Sequence, residues 1–232
     1  MKNKIYANFD AAVADIPDGS SFMVPGFGNV GIPRNLLAAL HRRGVKNLTG
    51  ISNSAGRPAD RNGVGDLIEA GQVKKMICAF TAPTHPSQVT PFVRLYNNDE
   101  IEAELVPQGT LAERIRAAAA GVAAFYTPAG VGTELSEDKE HRDIGGRTYV
   151  LEYALPADYA LIRAWKADTF GNLQFRLAQR NFNPIMAMAA TVTIVEVEQE
   201  IVEAGTLDPD HIHVPGVYVD RLVTIPPDGI WD

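Results

Sequence analysis

The sequence predicts an open α/β domain, a mostly parallel sheet with helices on its faces. Three observations carry that expectation. In the first half of the chain, strand-length apolar runs alternate with helical patterns at least three times, and each run ends in glycine or polar residues. Lys75 to Phe80 (KMICAF) is an almost continuous apolar run, as expected of a parallel strand buried on both faces. Near the N-terminus, a glycine-rich turn joins a short strand to a helix.

Each element has its own local reason. Residues 7–16 suit a short helix, followed by the turn Pro17-Asp18-Gly19. Phe22, Met23 and Val24 form a strand running into Pro25, Gly26, Phe27, Gly28, Asn29, Val30 and Gly31. Pro33 suits a first helical turn, where its missing N–H is not needed. Asn35 to Arg43 is a helix, with Leu36, Leu37 and Leu40 on one face and His41, Arg42 and Arg43 at its C-terminal end; Gly44 stops it. A strand at Asn47 to Ile51 ends in Ser52-Asn53-Ser54-Ala55-Gly56. Residues 57–65 form a polar loop, and Asp66 to Ala70 a helical turn or two.

Residues 81–91 hold Pro83, Pro86 and Pro91 and are expected to be largely irregular. A strand at Ile101 to Val106 leads into Pro107-Gln108-Gly109-Thr110, and the alanine-rich segment from Leu111 is helical through Ala120. In the second half, 127–133 is a glycine loop. A charged hairpin then turns at or near Gly145-Gly146. A strand covers 158–166 and a turn between strands 165–175. Asn183-Pro184 caps a helix through Ala190. A strand runs past Glu196 and Glu198, and a last strand segment spans 211–223. The tail 226–232 is expected either to be loosely ordered or to dock Ile230 and Trp231 on a partner. With no linker and no repeat, one domain over 1–232 is the simplest account.

Composition narrows the function classes. The chain has 232 residues, 46% of them hydrophobic, which suits a globular domain with its own core. No apolar run reaches the roughly 18 residues of a membrane span, and no apolar stretch follows the charged N-terminus as in a secretory signal. A net charge of −7 argues against nucleic acid or an anionic membrane as partner. Cys78 is the only cysteine, so no internal disulfide forms and a cytoplasmic setting is expected.

The chemistry is marked by what is missing. No serine stands on a GxSxG elbow, no cysteine and histidine set suits zinc, and no GxxxxGK[ST] loop is present. His211 and His213, two apart, would share a strand face, but without a third ligand they suit a surface better than a metal. A dinucleotide site would want a carboxylate at the end of the second strand, where Ser52-Asn53-Ser54 stands. Three strand ends converge as one candidate site: the glycine turn, Asn53 and Gln108. The unpaired amides of the glycine turn and of the helix N-terminus after it would suit an anionic or polar ligand; a tight corner with no ligand is the competing reading. Carboxamides and backbone amides orient a carbonyl or stabilise an oxyanion, but serve neither as nucleophile nor as base. For Asn53 a turn-capping role competes equally.

Several long motifs, in order along nearly the whole chain, resemble the A (alpha) subunit of family I CoA transferases, the 3-oxoacid CoA-transferase group. They are PGFGNVGIPRNLL, ISNSAG, VPQGTLAERIRAAAAGVAAFYTPAGVGT, WKADTFGNLQF, LAQRNFNPIMAMAA and DPDHIHVPGVYVDRLV. The resemblance implies an open α/β CoA-transferase fold and a heterodimer or heterotetramer with a separate B (beta) subunit. It implies transfer of CoA between an acyl-CoA and a small carboxylic acid, with a CoA thioester as substrate and no permanently bound cofactor. The attacking glutamate would lie on the B subunit, Asn53 and Gln108 would line the active site, and Pro25 to Gly31 would match the glycine motif assigned to CoA. The chain departs from the family pattern at Pro25, which replaces a glycine and removes a backbone donor, at Arg34, at Ser54 and through 57–98. Arg34, Arg57 or Arg61 would suit the second carboxylate of a dicarboxylic acid, or are solvated surface arginines. Three other classes compete: a hydrolase or C–C lyase acting on CoA esters, a non-catalytic binding protein, and a sugar-phosphate isomerase.

Overall fold

The structure is a computed structural model, described over residues 3–57, 61–81, 85 and 88–230. Its centre is a seven-stranded sheet in which every neighbouring pair runs parallel. The first half supplies β1 (Ser21–Val24), β2 (Leu48–Ser54), β3 (Val73–Phe80) and β4 (Glu102–Leu105), with α1 (Phe9–Val13), α2 (Arg34–Arg43), α3 (Val64–Glu69), α4 (Pro91–Asn97) and α5 (Gln108–Ala119) between and around them. The antiparallel sheet β5 (Ala124–Thr127), β6 (His141–Ile144) and β7 (Arg147–Tyr153) follows, in the order β5-β7-β6. Then come β8 (Ala157–Ala164), the small pair β9 (Lys166–Ala167) and β10 (Leu173–Gln174), α6 (Asn183–Ala189), β11 (Ala190–Val197) and β12 (Arg221–Thr224).

The strand order is β12-β11-β8-β1-β2-β3-β4. From β1 the chain winds outward through β2 and β3 to β4. It then returns to the other side of β1 and winds outward through β8 and β11 to β12. The direction of winding reverses between β1 and β8, and the crevice at such a reversal is where open parallel sheets place ligands. Strand alternation feeds two cores. Phe22 and Val24 join Leu36, Leu40, Leu67 and Phe92 on the face of α1 to α4. Met23 joins Ile115, Ile162 and Met186 on the face of α5 and α6.

Some expectations change. Helix α4 occupies a stretch where no helix was expected: Thr90 caps it, accepting from the Val93 N–H at 3.1 Å, and Pro91 starts it. The helix through Ala120 ends as expected, but 124–127 then forms β5. The 211–223 segment is a strand only from Arg221; before it the chain makes two single 3-10 turns. His211 and His213 therefore share no strand face. His211 pairs with Asp208 at 2.7 Å, while His213 Nδ1 accepts from the Phe175 N–H at 2.9 Å. The tail is anchored at Ile230, whose N–H donates to Asn35 Oδ1 at 2.8 Å and whose carbonyl accepts from Asn35 Nδ2 at 3.0 Å. Docking by Trp231 lies outside the described residues. Among the described residues no helix is long and apolar enough to cross a membrane, and no cluster of metal-binding side chains occurs.

Candidate functional site

The carboxyl ends of β1, β2 and β3 and the start of α5 meet at one edge of the sheet. Val24 pairs with Ser52 and Ser52 with Cys78, and the Val106 N–H extends the ladder by donating to the Cys78 carbonyl at 3.0 Å. Pro107 then turns the chain into α5, whose first residue is Gln108. Gln108 Nε2 donates to Asn53 Oδ1 at 2.6 Å. Asn53 is 7% exposed, and no described residue accepts from its Nδ2 group. The pair is neutral. Past the end of β11, the Glu198 carboxylate is held by Arg163 and Gln179, each at 2.9 Å.

The glycine turn is a small hairpin. Phe27 and Val30 exchange both backbone hydrogen bonds, at 3.2 and 3.3 Å, leaving Gly28 and Asn29 at the tip. Gly28 has φ +67° and Asn29 does not have a positive φ. That combination fits a II′ turn, with glycine at its first central position. The hairpin is gripped from the segment that precedes α6. Asn181 Oδ1 accepts from the Gly26 N–H and Asn181 Nδ2 donates to the Val30 carbonyl, both at 3.1 Å. Asn183, fully buried, donates to the Gly31 carbonyl at 3.0 Å and accepts from the Arg163 N–H at 2.9 Å. A side chain at Gly31 would put its Cβ 2.8 Å from Asn183 Nδ2, at φ +76°.

This grip reduces the cradle expected from Pro25 to Gly31. Pro25 has no N–H, the Gly26 amide is held by Asn181, and those of Phe27 and Val30 donate to each other's carbonyls. The amides of Gly28 and Asn29, at the tip, donate to no described residue. Two adjacent outward N–H groups of this kind suit a carbonyl oxygen or an anion.

The N-terminus of α2 departs from the expectation that it receives a ligand. Glu196, on β11 and fully buried, fills that position with its own carboxylate. It accepts from the Asn35 and Leu36 amides at 2.9 and 3.1 Å, and from Asn35 Nδ2 and Arg163 Nη1 at 3.3 Å. Burial pushes the Glu196 carboxyl up to about 7, against the opposing pull of the Arg163 charge and the α2 amides. The helix terminus is thus satisfied from inside.

The remaining candidates separate by geometry. Arg34 is 9% exposed and donates from Nη1 to the Arg61 carbonyl at 2.8 Å. Arg57 lies at the hairpin tip, with Nη1 3.5 Å from Asn29 Oδ1. Cys78 is fully buried, and burial raises its thiol to about 11, so it is inert. The sequence reading missed Asn181 and the role of Asn183. Asn183 is the first residue of α6 but its side chain does not cap it; it turns back to Gly31 and Gln179. The NFNP stretch, two asparagines around one aromatic before a helix proline, was the available signal.

Comparison with known proteins gives four further findings. The coenzyme A transferase family model matches residues 6–224. The A subunit of the probable succinyl-CoA:3-ketoacid coenzyme A transferase of Bacillus subtilis (strain 168) is 51% identical over 220 residues, covering 95% of this chain and 89% of the relative. The A subunit of the 3-oxoadipate CoA-transferase of Pseudomonas putida is 50% identical over 227 residues, covering 97% and 95%. Among solved structures, the acyl-CoA transferase YdiF of Escherichia coli O157:H7, in a thioester complex with CoA, superposes with a TM-score of 0.80 at 24% identity. That likeness speaks to fold alone; it covers 99% of this chain, which spans half the length of the YdiF chain.

Proposed function

The chain belongs to the coenzyme A transferase family, and from that membership we propose that it is the A component of a two-component 3-oxoacid CoA-transferase. The enzyme would move CoA between an acyl-CoA, such as succinyl-CoA, and a 3-oxo carboxylic acid, in the cytoplasm. The observation that carries the reading is the neutral pair Asn53–Gln108, on the same sheet edge as the two outward amides of Gly28 and Asn29. Among the described residues at the ends of β1, β2 and β3, the edge offers hydrogen-bond donors and no attacking group, which supports a reading in which another chain brings the carboxylate.

The chemistry divides accordingly. The B subunit's glutamate attacks the thioester carbonyl, the C–S bond breaks, and an acyl anhydride and free CoA thiolate result. The thiolate then attacks the glutamyl carbonyl of the anhydride. This releases the first acid as its carboxylate and leaves a glutamyl-CoA thioester, which the acceptor acid opens by the reverse sequence. In each step a carbonyl oxygen gains negative charge, and preorganised N–H donors lower that barrier. Gly28 N–H, Asn29 N–H and Asn53 Nδ2 are the donors assigned to substrate carbonyl oxygens. Gln108 fixes the Asn53 carboxamide in the orientation that turns Nδ2 away from it.

The test is a transfer assay with purified chains. This chain alone should give no turnover, and its complex with the B subunit should convert succinyl-CoA and a 3-oxo acid into succinate and the 3-oxoacyl-CoA. Robust transfer by the isolated chain would refute the proposal.

A further inference from the structure

We propose that Arg57 determines substrate specificity, by receiving the distal carboxylate of an acyl group derived from a dicarboxylic acid. The inference rests on the transferase reading above. Arg57 leaves the end of β2 three residues beyond Ser54, and its guanidinium reaches the tip of the glycine hairpin. Nη1 lies 3.5 Å from Asn29 Oδ1, and Nη2 lies 3.8 Å from where a Cβ on Gly28 would stand. The charge therefore sits beside the two outward amides assigned to the reacting carbonyl.

What distinguishes Arg57 is its place at the hairpin tip together with the lack of an ion-pair partner, a lack it shares among the described residues with Arg43, Arg61, Arg147, Arg176 and Arg180. Arg42, Arg94, Arg114, Arg116, Arg142, Arg163 and Arg221 each have a carboxylate within ion-pair distance. Among the described residues, Arg57 has none, in a chain whose net charge is −7. Its one described polar contact is a long bond to a neutral amide oxygen, which a carboxylate would displace at little cost. Arg34, an alternative on sequence grounds, is buried and turned toward the Arg61 carbonyl. A planar guanidinium takes a carboxylate through two parallel N–H bonds, a geometry an ammonium lacks. A donor with a carboxylate at the far end of its acyl chain can thus present its thioester carbonyl to the hairpin tip and its second charge to Arg57.

The experiment compares succinyl-CoA with butyryl-CoA in the assembled two-chain enzyme, with acetoacetate as acceptor. The two donors share chain length and differ in the terminal carboxylate. Arg57→Gln should lower kcat/KM for succinyl-CoA by about 10- to 100-fold, the worth of a charged hydrogen bond, through KM rather than kcat. It should leave butyryl-CoA within about two-fold, and Arg57→Lys should recover part of the loss. A structural role would depress both donors alike. Equal losses on the two donors, no loss on succinyl-CoA, or a wild-type complex that accepts butyryl-CoA alone would overturn the assignment. A wild-type complex inactive with every acyl-CoA would instead overturn the transferase reading beneath it.

Discussion

Gln108 Nε2 donates to Asn53 Oδ1 at 2.6 Å, joining the first residue of α5 to the carboxyl end of β2 across the end of β3. The contact uses the acceptor of Asn53 and leaves its N–H2 group, the proposed donor to substrate, without an acceptor among the described residues. Asn53→Ala in the assembled enzyme should therefore lower kcat by about 100-fold, the scale of losing one oxyanion donor. Gln108→Ala, which removes only the orienting bond, should cost about 10-fold. Steady-state kinetics with unfolding curves in parallel check this; a loss of stability matching the loss of rate would point to a structural pair.

The grip of Asn181 on the glycine hairpin has its own consequence. Asn181→Ala strands the Gly26 N–H and the Val30 carbonyl, and should raise KM for the acyl-CoA several-fold. Asn181→Asp keeps the acceptor for Gly26 and loses the donor to Val30, so it should recover only part of the affinity. Identical kinetics for the two variants would contradict the two-point grip.

Gly31→Ala tests the same contact from the other side. The new Cβ would stand 2.8 Å from Asn183 Nδ2, at a positive φ that L-residues disfavour. The strain alone is worth about 1–2 kcal/mol, and denaturant unfolding should show at least that loss. A neutral substitution would mean that the hairpin can shift away from Asn183.

The buried carboxyl of Glu196 predicts a pH dependence of definite sign. Its folded-state value, about 7, lies above the ordinary 4.5, so between these values the folded state binds the proton more tightly than the unfolded chain. The stability it contributes is full below about pH 4.5 and is lost as pH rises through about 7. The difference in stability between wild type and Glu196→Gln should therefore move by up to about 3 kcal/mol across this window, against the wild type as pH rises. Asp15, Glu104 and Asp158 act in the opposite direction, because their partners lower their values, and the difference between the two proteins cancels them. A difference independent of pH would show Glu196 to be charged throughout.

Much of this architecture was legible because local patterns and tertiary needs agree. The run at Lys75–Phe80 is apolar because helices cover both faces of β3, and Gly44 ends α2 at φ 74°, where only a residue tolerant of that region fits. Asn53 and Gln108 were visible as strand-end amides, but their bond was not, since it joins residues 55 apart through a strand neither belongs to. The reversal of winding between β1 and β8 could not be read at all, because sequence order does not state strand order. Glu196 looked like one polar position in an alternating strand. Its partners, Asn35, Leu36 and Arg163, come from distant parts of the chain, and only folding shows that it fills the α2 terminus. The anchoring of Ile230 by Asn35 was hidden for the same reason.

The division of labour between two chains is tested most directly by intact-mass analysis of the assembled enzyme after brief exposure to succinyl-CoA without acceptor. A CoA adduct, labile to hydroxylamine as a thioester is, should appear on the partner chain, and this chain should keep its unmodified mass. A CoA adduct on this chain, or release of free CoA with no adduct on either, would contradict the account.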